Sequence, residues 1–120
     1  MEPVKGCSLA SLPKEVVAHF ADYNPEASTA SWALRWVASK PNVNVVLRGM
    51  STPEQVEDNL RTFHPFRPLS LKEKELVSEV SRRIKQRTKN GCTGCAYCMP
   101  CPFGVNIPKN FHIWNELAMY

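Results

Sequence analysis

The chain lacks the opening that marks export: Met1-Glu-Pro-Val-Lys-Gly has no basic start leading into an apolar run. It also lacks any apolar stretch long enough to cross a bilayer, any internal repeat, and any base-reading helix or RNA-stacking motif. Glycine is scarce at five residues, and the ten prolines fall at segment ends rather than in a low-complexity tract. Cysteines number five, an odd count that suits a disulfide framework poorly. These absences argue against a membrane protein, a repeat array and a disulfide-stapled secreted domain. The expectation is a small globular protein with a modest core, in the cytoplasm, where thiols stay reduced.

What is present is concentrated. Four of the cysteines fall within ten residues, Cys92-Thr-Gly-Cys95-Ala-Tyr-Cys98-Met-Pro-Cys101, with Pro102 after the last. Thiolates at every third position, followed by proline, form the loop that wraps an iron–sulfur cluster, because two-residue spacers let successive sulfurs reach different irons of one cube. The usual bacterial run has one more residue before its last cysteine. The pattern predicts a 4Fe–4S cluster on Cys92, Cys95, Cys98 and Cys101, with Pro100, Pro102 and Phe103 stiffening and desolvating the loop. A four-cysteine zinc site is the alternative, although zinc pairs normally stand further apart than Ala96 and Tyr97 allow. In that case the chain would be a zinc-stabilised binding module whose basic helix engages a macromolecular partner. The basic residues Arg82, Arg83, Lys85, Arg87 and Lys89 carry much of the net charge of +4. They suit either a solvated helix face or an acidic or nucleic-acid partner.

Along the chain, Glu2 to Gly6 reads as a short β-like start. Leu12 to Phe20 reads as a brief helix, with Pro13 near its first turn. Ala27 to Ser39 has helical apolar spacing, with Trp32 and Trp36 one turn apart and both expected in the core. Val43-Asn-Val-Val-Leu47 is β-branched and predicts a strand. Arg48-Gly-Met-Ser then leads into a helix over Pro53 to Phe63, with Thr52 as N-cap, Gln55 completing a capping box, and Val56, Leu60 and Phe63 as the apolar stripe. Ser70 and Glu73 form a second capping box, opening a long helix that stops at Asn90-Gly91. A last helix opens at Pro108 and carries Phe111, Trp114 and Leu117. A helix N-terminus facing a glycine-containing turn, as after Leu47, is a ready anion site.

The order of segments resembles one family. Glu2-Pro-Val-Lys-Gly, Ala33-Leu-Arg-Trp-Val, Val45-Val-Leu-Arg-Gly-Met-Ser-Thr, Gln55-Val-Glu-Asp-Asn59 and the cysteine run with Phe103-Gly-Val-Asn-Ile-Pro occur together. They are similar to the C-terminal part of aldo-keto reductases that carry a ferredoxin-like iron–sulfur tail. The resemblance implies an α/β fold: the C-terminal portion of a (β/α)8 barrel over residues 1–68, then a mainly helical iron–sulfur segment over 69–120. Glu2 to Gly6 would be the seventh barrel strand and Ala27 to Ser39 the seventh helix. Val43 to Leu47 would be the eighth strand and Pro53 to Phe63 the eighth helix.

The resemblance further implies carbonyl reduction with NADP(H), the nucleotide's adenosine phosphate end lying at Gly49, Ser51, Thr52, Gln55 and Asn59. Many members have an arginine where Gln55 stands, and its loss removes a cation for the 2′-phosphate. The family's catalytic Asp, Tyr, Lys and His lie in the first half of the barrel, which this chain does not match; Lys5, His19 and Tyr97 are not those residues. The expectation is therefore a fragment without catalytic residues of its own, whose partners are the missing barrel portion or an electron-transfer protein. In two-cluster ferredoxins the final cysteine of such a run ligates the other cluster, so Cys101 serves either this cluster or a second one in a longer chain. Cys7 stands where glycine is common and is expected to be an incidental thiol.

Overall fold

The structure is a computed structural model and describes residues 3–4, 8–10 and 12–120. Five helices account for its regular structure: α1 (Lys14–Tyr23), α2 (Thr29–Ala38), α3 (Pro53–Phe63), α4 (Leu71–Arg87) and α5 (Ile107–Met119). Most begin at a side chain that satisfies an otherwise orphaned amide. Ser28 Oγ accepts from the Ser31 amide at 3.0 Å to cap α2, and Asn106 Oδ1 accepts from the Lys109 amide at 3.2 Å to cap α5. At α4 the box is reciprocal: the Glu73 amide donates to Ser70 Oγ at 3.3 Å, and the Ser70 amide donates to Glu73 Oε2 at 2.8 Å. α1 has no side-chain cap and starts directly after Pro13, whose carbonyl accepts from the Val16 and Val17 amides. It runs to Tyr23, three residues beyond the expected end.

The α/β expectation is overturned. Among the described residues there is no sheet, and the β pairing is an isolated antiparallel bridge between Phe63 and Phe66. Val43 to Leu47, expected as the eighth strand of a barrel, has no regular structure. Of the seventh strand, Pro3 and Val4 lie in a turn, while Glu2, Lys5 and Gly6 fall outside the described residues, as does Cys7.

The physical reason is that a parallel strand has no hydrogen-bonding partner within itself; its backbone groups need neighbours on a sheet. With no ladder to join, Val45 and Leu47 stand 74% and 59% exposed. Val46 is half-buried and packs against Val4, Ala30 and Leu34. The chain is predominantly helical rather than the last two β/α units of a barrel.

The chain divides into two compact units, Met1–Val80 and Ser81–Tyr120, with the division falling inside α4. In the first, Trp32 is fully buried. Its ring stacks on Phe20 at 4.7 Å between centroids, meets Tyr23 edge-on at 5.8 Å, and lies 5.5 Å from the Arg35 guanidinium. Its Nε1 is buried with no hydrogen-bond partner, so stacking holds the ring despite that cost.

Trp36 departs from the core expectation. It is 42% exposed, with Lys40 Nζ 4.1 Å above its ring. The apolar stripe of α3 is also open: Val56, Leu60 and Phe63 are all exposed. What ties α3 to α2 is polar. Ser28 Oγ donates to Asp58 Oδ2 at 2.6 Å while also capping α2, so one hydroxyl serves both helices. Arg35 pairs with Glu73 at 2.9 Å and donates through Nε to the Arg67 carbonyl at 3.0 Å, fixing the approach to α4. No helix among the described residues is long and apolar enough to cross a membrane.

Candidate functional site

The cysteine loop belongs to the Ser81–Tyr120 unit and spans the irregular stretch between α4 and α5. Its start is fixed from α5. Asn115 Oδ1 accepts from the Lys89 and Asn90 amides at 2.9 Å each, and Asn115 Nδ2 donates to the Asn90 carbonyl at 2.8 Å. Asn90 in turn accepts from the Cys92 amide through Oδ1 at 2.8 Å, so the clamp extends to the first thiol. A second tie joins Arg87 Nη1 to the Met119 carbonyl at 2.7 Å, supplying a partner for one of the last carbonyls of α5.

Within the loop the backbone turns through the left-handed region at Gly94 (φ 71°), Ala96 (φ 60°) and Gly104 (φ 72°). A Cβ at Gly94 would meet nothing within 4 Å, so the positive φ, not crowding, requires glycine there. The Gly94 amide points at Cys92 Sγ, 3.4 Å away. The Cys95 thiol is held below its ordinary value, first by the Tyr97 amide and second by the Thr93 hydroxyl. Both stabilise the thiolate, which is the form that binds metal.

All four thiols are free; Cys92, Cys95 and Cys98 are exposed and Cys101 is half-buried. In kind and spacing the donor set fits a thiolate-bound metal or cluster. The loop as folded does not gather it: among the described residues no three His, Cys, Asp or Glu side chains converge to hold a metal ion. The expected desolvating residues are also open: Pro100 and Pro102 are exposed, and Phe103 is 88% exposed.

The nucleotide segment is a different matter. Its polar groups are engaged with one another. Gln55 does cap α3, but its Oε1 accepts from the Ser51 amide at 2.8 Å, one residue before the N-cap, while its own amide donates to Thr52 Oγ1 at 3.4 Å. Asn59 is used at both ends of its amide: Oδ1 accepts from Arg48 Nη1, and Nδ2 lies 2.8 Å from Met50 Sδ. Gly49 lies in the irregular stretch before Ser51 and has a partner of its own. Glu54 occupies the first turn of α3, where its carboxyl is held below its ordinary value by its own backbone amide and by the Thr52 hydroxyl. A carboxylate already takes the place where a phosphate would meet the helix N-terminus.

Sequence reasoning missed two features. Asn115 sits mid-helix in α5, where periodicity gives no hint that it clamps a loop twenty-five residues away. The second is a polar cleft of about 350 Å³ in the Met1–Val80 unit, lined by Ser28, Ser31, Arg35, Asp58, Arg61 and Arg67 among others. Its charges are mixed, and its central groups, Arg35 with Glu73 and Ser28 with Asp58, satisfy each other.

Comparison with known proteins bears on the chain's descent. No curated protein and no solved structure matches it. A family model described as the Aldo/keto reductase family matches residues 6–82, ending before the cysteine run. That match covers more than half of the sequence, and the chain belongs to the aldo/keto reductase family.

Proposed function

We propose that this chain is part of an oxidoreductase of the aldo/keto reductase family, in which the 92–101 loop holds a 4Fe–4S cluster for single-electron transfer. The observation that supports this reading is the donor set: four free thiols at three-residue spacing, on a loop turned by Gly94, Ala96 and Gly104 and anchored by Asn115. A cluster bound there would supply a one-electron redox centre. The chain's own contributions are distinct. Asn115 fixes the loop's entry, the left-handed residues Gly94 and Ala96 turn the backbone between successive cysteines, and the Gly94 amide directs a donor at Cys92 sulfur. Such N–H···S bonds raise a cluster's potential by stabilising its more negative, reduced form.

Nucleotide binding rests on the resemblance of Gly49, Ser51, Thr52, Gln55 and Asn59 to the family's segment. In this reading NADP(H) belongs to the parent enzyme, and the chain by itself does not reduce carbonyls. The test is anaerobic titration of the purified chain with ferrous iron and sulfide, followed by addition of dithionite. A broad brown absorption that bleaches on taking up about one electron per chain supports the reading. Saturation by one zinc, with no visible absorption and no dithionite response, replaces it with a zinc-folded module.

A further inference from the structure

Charge is unevenly divided between the two units. The Ser81–Tyr120 unit holds six of the fifteen Lys and Arg residues but only Glu116 of the eleven acids, for a net charge of +5. The remaining residues carry nine basic and ten acidic groups, net −1, so the chain's positive charge of +4 resides entirely in the unit with the cysteines. Glu116 lies 3.4 Å from Nε2 of His112, one helical turn before it.

We propose that the Ser81–Tyr120 unit is a docking surface for an acidic one-electron carrier protein, an inference that rests on the cluster reading above. Lys85, Lys89 and Lys109 are exposed on either side of the cysteine loop in sequence, and Tyr97 and Phe103 are exposed within it. Exposed aromatic side chains are enriched at protein–protein contacts, and exposed lysines steer the approach of an acidic partner. Electron-transfer encounters are small and depend on electrostatic steering. This short unit can supply it, because it stays positive after the roughly −2 of a thiolate-ligated cluster is set against its +5. A cluster held by Cys92, Cys95, Cys98 and Cys101 would supply the acceptor for one electron given up by the docked carrier, which would thereby be oxidised; no bond would form and no proton would move.

A nucleic acid is the weaker occupant. Arg87 is spent on the Met119 carbonyl, and no Lys or Arg falls between Lys89 and Lys109 to continue a track for a phosphate backbone.

The experiment uses the full chain purified without oxygen, with iron and sulfide measured on the same sample. Binding of an acidic flavodoxin is followed by calorimetry, beside a basic cytochrome c and a duplex DNA. The flavodoxin is expected to bind, and to weaken about tenfold or more between low and physiological salt. Lys85→Glu with Lys89→Glu and Lys109→Glu is expected to cost about another tenfold at low salt. The corresponding Lys→Gln set, with a smaller loss, serves if the reversed chain does not fold. Equal binding of cytochrome c, an affinity indifferent to salt and to both variant sets, or displacement of flavodoxin by the duplex overturns the docking surface. Absence of binding from a sample rich in iron and sulfide overturns docking alone. Absence of iron and sulfide overturns the reading beneath it.

Discussion

Asn115 and Asn90 hold each other through both halves of an amide: Asn115 accepts from the Asn90 N–H at 2.9 Å and donates to its carbonyl at 2.8 Å. This is the pattern of a strand pair supplied by a single side chain. It closes the end of the chain leaving α4 onto α5, and it sets where the cysteine loop begins. Asn115→Ala removes acceptors from the Lys89 and Asn90 amides at once. Because the site is only partly buried, water replaces some of this, and the expected loss is about 1–2 kcal/mol. Urea unfolding gives the magnitude, and faster amide exchange confined to residues near 89–92 gives the location.

Gly94 provides a second expectation. Its φ of 71° suits glycine, and a methyl there would meet no atom within 4 Å. Gly94→Ala therefore costs about 1 kcal/mol of local backbone strain with no steric clash. Gly91→Ala, which also meets nothing and has no left-handed φ, should be silent. Equal thermal shifts in the two variants would show that the turn at Gly94 is not needed.

Acid should loosen the tie between α2 and α4. Burial opposes the Glu73 charge, but the Arg35 guanidinium and the Ser70 amide and hydroxyl together outweigh it and hold the carboxyl below its ordinary value. A carboxyl with a folded-state pKa below its unfolded one contributes stability above the unfolded value, and this fades as pH falls through the folded one. Wild type should therefore exceed Glu73→Gln in urea midpoint near neutrality, and the gap should close on acidification below the carboxylate range. A gap independent of pH would assign Glu73 a packing role instead.

The chain alone should show no NADPH-dependent carbonyl reduction. Ser51 and Gln55 bind one another, Asn59 is engaged at both ends, and Glu54 sits at the α3 N-terminus. Each would have to be displaced or neutralised for a nucleotide phosphate to bind. Steady oxidation of NADPH with a simple aldehyde, absent in a buffer control, would contradict this.

The helices were legible in the sequence because their signals are local. Thr52-Pro53, Ser70 with Glu73, and Pro108 mark helix starts within a few residues of where they occur. The expected strands failed because a strand is a property of its neighbours: Val43 to Leu47 has the β-branched residues but no ladder to join. Trp36 failed for a similar reason, since spacing from Trp32 places it near the same helix face but says nothing of what covers that face. The cysteines could be found by spacing alone. The clamp that anchors them could not, because Asn115 acts across sequence distance through its side-chain amide rather than through any periodic pattern.

The most direct measurement is iron, acid-labile sulfide and zinc content, with a visible spectrum, on protein purified without oxygen, beside Cys98→Ser and Cys101→Ser variants. About four irons and four sulfides per wild-type chain, a broad brown absorption, and loss of both in Cys98→Ser are predicted. Retention of the cluster in Cys101→Ser would assign that cysteine to a second site, whereas its loss would make it the fourth ligand. One zinc per chain, no iron and no colour would contradict the cluster reading outright.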